Sequence, residues 1–172
     1  MPTIQPSSIP PSALLSAYSG DVGYADCYFT EVSSLTSLAT FVEAFYTTPL
    51  FKVERTILRW FAAKPASDAD ARALAKGANT FSAWKVENRT PDELLLADFT
   101  GRTRSWLMAV PLRQPDGTTG TRLYFGSAVV PRRSSDGARD GMGFGFHVLL
   151  GFHKLYSRLL LRSARAGLPS AA

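Results

Sequence analysis

Two titratable residues fall where a chain that buries hydrocarbon has no ordinary use for them. In "LFKVERTILRWFA" (50–62), plotted at about 100° per residue, Leu50, Val53, Ile57, Leu58, Trp60 and Phe61 cover one broad face, and Lys52, Arg55 and Arg59 share the other. Glu54 falls between Phe61 and Leu58, inside the apolar arc. In "FGFHVLLGFHKLYSRLLLRSARA" (144–166) the apolar face is Val148, Leu149, Phe152, Leu155, Tyr156, Leu159 and Leu160. His153 lies at its edge, between Leu160 and Leu150. Burying a lone ionised carboxylate is costly, so Glu54 needs a cation, a proton or a polar cavity beside it. A cavity accounts for Glu54 and His153 together; local ion pairs account for each separately. Within a cavity the two could form a carboxylate–imidazole acid/base pair.

Other chemistry is thinner. Cys27, His153 and Asp98 have the residue types of a nucleophilic set, but a strand thiol without a neighbouring base stays protonated and inert, so no catalytic residue is assigned. Asp98 shares a strand face with Leu94 and Leu96 if "ELLLADFT" alternates, and Arg102 and Arg104 follow across "TGR". One account is a cross-strand Asp–Arg pair. The other puts these groups at a pocket mouth, where an arginine holds a ligand carboxylate or phosphate bidentately. Trp60, Trp84, Trp106 and the phenylalanines would line such a pocket with apolar surface. The ligand-binding candidates are Glu54, Asp98, Arg104, Trp106, His153 and Tyr156.

The elements that must position these residues can be read from period and punctuation. Residues 1–20 are rich in Pro and Ser and read as a flexible tail or a packing arm; residues 21–172 read as a single domain. "GYADCYFTEV" (23–32) reads as a strand. "SSLTSLATFVEAFYTT" is helical in period at Leu35, Leu38, Phe41, Val42 and Phe45. A second helix starts with Thr48 as N-cap and Pro49 in the first position. "ASDADARALAKG" is a third, between a Ser67 cap and a Gly77 stop. The period then changes to two. "NTFSAWKVEN", "DELLLADF", "TRSWLMAVPL" and "TRLYFGSAVVP" are strands, and their short, turn-rich connections predict an antiparallel meander. A long helix from about Phe144 to Ala166 closes the chain. The expected class is α+β, with an antiparallel sheet wrapped around a long C-terminal helix and two to three helices after the first strand.

"FYTTPLFKVERTILRWF", "LLLADFTGRTRSWLMAV" and "FGFHKLYSRLLLRSA" together resemble an uncharacterised bacterial domain-of-unknown-function family. That family is met alone and C-terminal to NmrA-like NAD(P)-binding domains, and is similar to the START-like helix-grip group. The likeness covers roughly residues 40 to 165. Its motifs are an aromatic-Thr-Thr-Pro helix start (Thr47, Thr48, Pro49), an Asp ending a strand (Asp98) and a Phe-His pair (Phe152, His153). The chain departs from the pattern at Glu54 and Arg55, where the family would have a basic residue followed by Asn or Asp. The resemblance implies a helix-grip fold with a cavity between sheet and last helix, and carries no established activity.

Bulk composition narrows the classes. A chain of 172 residues with 45% hydrophobic and 19% charged residues fits one globular domain. The net charge of +5 chooses no partner by itself. One cysteine and two histidines leave no internal disulfide, no Cys-based zinc site and no His-rich metal centre. No Gly-rich fingerprint follows a strand, so no cofactor is expected. No apolar run reaches the ~18 residues of a membrane span, and the start lacks a signal-peptide pattern, so the expectation is cytoplasmic. The stripe Lys154, Arg158, Arg162 and Arg165 reads as a solvated face, with an anionic membrane as its alternative. No nucleic-acid module is present, and a homodimer is compatible. The function expected is binding of a small apolar or amphipathic molecule, which could carry an acidic group. The alternatives are acid/base chemistry in the same cavity and a protein- or membrane-interaction module.

Overall fold

The computed structural model describes residues 3–20, 24–49, 51, 67–130 and 156–168. Among them seven strands form one antiparallel sheet: β1 (Gln5–Pro6), β2 (Tyr24–Val32), β3 (Thr80–Phe81), β4 (Trp84–Arg89), β5 (Glu93–Asp98), β6 (Thr103–Arg113) and β7 (Thr119–Val129). The order across the sheet is β1-β2-β7-β6-β5-β4-β3. The last five strands are the expected meander, and short turns can join only antiparallel neighbours. The stretch expected as one strand over 79–88 is two, because the chain reverses between Phe81 and Trp84 through Ser82 at φ 54°. A bulge between Val86 and Asn88 bends β4.

Helices cover one face. α1 (Leu38–Tyr46) starts at Ser37, whose hydroxyl accepts the Thr40 N–H, and buries Leu38, Phe41, Val42, Phe45 and Tyr46. Leu35, expected on this apolar face, precedes the cap and is 71% exposed. α2 (Asp68–Ala75) begins with a reciprocal capping box between Ser67 and Asp70. Beyond its end the chain leaves the helix through Gly77 at φ +112°. Thr48 Oγ1 accepts the Phe51 N–H at 3.1 Å, and Pro49 and Phe51 are helical, as a Thr-Pro start requires. Residues 156–166 are helical and form α3; the earlier part of the expected long helix, 144–155, lies outside the described residues. Leu160, Leu161 and Ala164 are buried in α3, whereas Leu159, expected on the packing face, is 44% exposed. The i, i+3, i+4, i+7 set Ser157, Leu160, Leu161 and Ala164 is the buried stripe.

Register sorts the sheet into two faces. On the helix side, Tyr28, Phe125, Leu107 and Leu94 stand abreast on neighbouring strands and share a core with α1, α2 and α3. On the other side Cys27, Gly126, Trp106 and Leu95 stand abreast and are covered by the N-terminal arm through Ala13 and Leu15. The arm is anchored by β1, by the turn Leu14–Tyr18 and by Leu15, which is 0% exposed. Gly126 makes room for it. A Cβ there would meet Leu15 Cδ2 at 2.6 Å, Asp26 O at 2.8 Å and Trp106 Cε3 at 2.9 Å. No described helix is long and apolar enough to cross a membrane.

Candidate functional site

Between the helix-side face and α3 lies a cavity of about 220 Å³. Its apolar wall comes from Phe45 of α1, Phe51, Trp84 of β4, Phe125 of β7, and Tyr156 and Leu160 of α3. The volume exceeds the ~150 Å³ that holds a benzene in an apolar protein cavity and lies below the ~300 Å³ of drug-sized sites. The part of an occupant held inside it must therefore be small.

The polar part of the wall lies towards one end of the sheet and follows from register. The third helix-side row in from this end is the apolar one of Phe125 and Leu107. The second is Asp26, Ser127, Ser105 and Leu96, and the outermost brings together Tyr24, Val129 and Thr103, with Asp98 opposite Trp84 on the next strand pair. Ser127 donates to Asp26 Oδ1 at 2.6 Å and Tyr24 donates to Asp26 Oδ2 at 3.2 Å. Ser105 and the Tyr46 hydroxyl form a buried pair at 2.9 Å. Burial first, and then the Asp26 carboxylate, push the Tyr24 and Tyr28 phenols above their ordinary range. The same two causes push the Cys27 thiol up to about 12. It is protonated at neutral pH and offers no nucleophile.

Asp98 closes the β5–β6 turn. Its Oδ1 accepts the backbone N–H of Arg102 at 2.7 Å and of Thr103 at 3.0 Å, and the Thr100 hydroxyl donates to Oδ2. Burial opposes ionisation of Asp98, but these hydrogen bonds outweigh it and hold the carboxyl below its ordinary range. Its partners are thus the turn backbone and a hydroxyl, and the expected cross-strand Asp–Arg pair is replaced by them. Arg104 contributes to the cavity wall, yet its guanidinium is engaged elsewhere. It lies 2.8 Å from Glu87, donates to Gly101 O at 2.5 Å and stacks 4.6 Å over the Tyr18 ring. Alternation along β6 turns it towards the arm, so it fixes the arm rather than meeting a ligand carboxylate.

Trp106 also faces the arm. It is 0% exposed, and its indole N–H donates to Glu93 Oε2 at 2.8 Å, the same oxygen that accepts the Leu14 N–H at 2.7 Å. Tyr156 lines the cavity. Glu54 and His153 lie outside the described residues. Of the six sequence candidates, then, Arg104 and Tyr156 contribute to the cavity wall, Asp98 stands opposite its Trp84, and Trp106 does not take part. Sequence reading missed Ser105 and Ser127, which look like ordinary strand residues until register sets them side by side. The alternation of "LYFGSAVV" puts Phe125, Ser127 and Val129 on one face, and that was the available signal.

A donor in this wall stands out: Trp84 Nε1 is buried and has no acceptor among the described residues. A stranded buried donor costs about 1–3 kcal/mol. Among the described residues no cluster of three or more His, Cys, Asp or Glu is arranged to hold a metal ion. No protein-family model matches the chain, and no curated protein matches it.

Proposed function

We propose that the protein binds a small, largely apolar molecule in the cavity between the sheet and α3, in a helix-grip arrangement of the START-like kind. The observation that carries this reading is the wall itself. Rings from α1, β4, β7 and α3 converge on about 220 Å³, with hydroxyls confined towards one end. An apolar enclosure with a few fixed polar groups is the usual composition of a small-molecule site. The unpaired Cys27 fits a reducing compartment such as the cytoplasm.

The test is a titration of isotope-labelled protein with ethylbenzene, followed by NMR. Saturable shifts concentrated on Phe45, Phe125, Tyr156 and Leu160 are expected. Shifts that never saturate, or that scatter over the arm side of the sheet, would reject the cavity as a binding site.

A further inference from the structure

The lining hydroxyls nearest the apolar wall are already engaged. Ser105 is bonded to Tyr46 and Ser127 to Asp26. The Arg104 guanidinium is held by Glu87 and Gly101. Trp84 differs: Arg104 Nε, though it makes no hydrogen bond, lies 2.8 Å from the Glu87 carboxylate, whereas the Trp84 indole N–H is buried in the wall with neither acceptor nor counter-charge among the described residues. An indole nitrogen only donates, so what completes it must accept. The charge around it restricts the acceptor further. Asp98 is the cross-strand partner of Trp84, which puts the two side chains on one face with Cβ atoms about 5 Å apart. Asp26 stands in the next row of the same face. These carboxylates neighbour lining residues, and Arg104, the cation among the described lining residues, is already paired with Glu87, so a third carboxylate would meet repulsion without a free counter-charge.

We propose that the cavity selects an uncharged molecule bearing a hydrogen-bond acceptor of the ketone, ester or ether kind, and that the Trp84 indole N–H receives that acceptor. This rests on the reading of the cavity as a binding site and narrows its ligand: the acidic end that an arginine clamp would have served is replaced by a neutral oxygen.

Three probes of one shape separate the possibilities: ethylbenzene, acetophenone and benzoate, titrated against the full chain and against Trp84→Phe. The ratio of acetophenone to ethylbenzene affinity should fall by about three- to tenfold in Trp84→Phe, the contribution of one neutral hydrogen bond. In the unmodified protein the Trp84 indole proton should move downfield with acetophenone and not with ethylbenzene, a reading that needs no variant. An unchanged ratio, or the same proton shift with both probes, overturns the assignment of Trp84 and leaves the cavity standing as a site. Tighter binding of benzoate than of acetophenone overturns the preference for an uncharged ligand. Failure of both neutral probes to bind removes the binding site and this inference together.

Discussion

Trp84 and Trp106 stand on opposite faces of the same sheet, and among the described residues only one of the two indole N–H groups has an acceptor. Trp106 lies under the arm with Glu93 on its nitrogen and Leu15, Cys27 and Tyr124 around it. Trp84 lies in the wall of a cavity with its nitrogen unpaired. Around Trp106 the arm side is closed chemistry: the indole donor is answered, Leu15 fills the space at Gly126, and Arg104 lies 2.8 Å from Glu87. The helix side keeps space and an unspent donor. A sheet whose two faces differ in this way has one face given to stability, and under the proposed function the other is where a ligand would add binding energy.

The largest expected effect tests the closed face. Glu93→Ala removes the acceptor shared by the Leu14 and Trp106 N–H groups, leaving two donors stranded beneath the arm. A loss of about 3 kcal/mol in denaturant unfolding is expected, with faster hydrogen exchange at Leu14. A loss below about 1 kcal/mol would mean that the arm is held without this carboxylate, and the contrast between the faces would weaken.

The next effect sets the two indoles directly against each other. Trp106→Phe deletes a satisfied donor and opens a small void in a fully buried site, so about 1–2 kcal/mol should be lost. Trp84→Phe deletes a donor with no partner, so stability should stay within about 0.5 kcal/mol of the parent or rise. Parallel urea melts give both numbers. Equal losses would show that the Trp84 N–H has an acceptor in solution, and the asymmetry would be gone.

Much of this architecture was legible before any coordinates, and the reason is local. Thr48-Pro49, the Ser67 cap with its Gly77 stop, and the turn-rich connections of the meander fix where elements start and stop through backbone chemistry within a few residues. Alternation in "ELLLAD" likewise put Asp98 on the face of Leu94 and Leu96. What was not legible depends on residues far apart in sequence. Arg104 and Glu87 meet only across β5, once β4, β5 and β6 are in register, and Trp106 finds Glu93 only once β5 and β6 are. The phase of α3 failed for a related reason. "RLLLR" offers three consecutive leucines, and which of them point inward is decided by the sheet they pack on. Leu160 and Leu161 are chosen and Leu159 is left out.

The smallest effect concerns Asp98, at the polar end of the open face. Its carboxylate accepts two backbone N–H groups and a hydroxyl in a partly solvated turn. Asp98→Asn keeps one acceptor but presents an amide where the Thr100 hydroxyl donates, so the turn should weaken by no more than about 1 kcal/mol, or about 2–4 °C in a chain of this size. The sign with pH follows from the lowered folded-state pKa. Because folding favours the ionised form, the advantage of the parent over Asp98→Asn is fully present above the ordinary carboxyl value of 3.8 and is lost as pH falls through the lower folded value. Thermal melts of both proteins from pH 7 to pH 2.5 should therefore run parallel at first and converge only below about pH 4. Convergence already near pH 6 would mean that the carboxyl is raised by its cavity instead of lowered by its turn. Asp98 would then be a neutral donor at the site, and a ligand acceptor could find a second partner there beside Trp84.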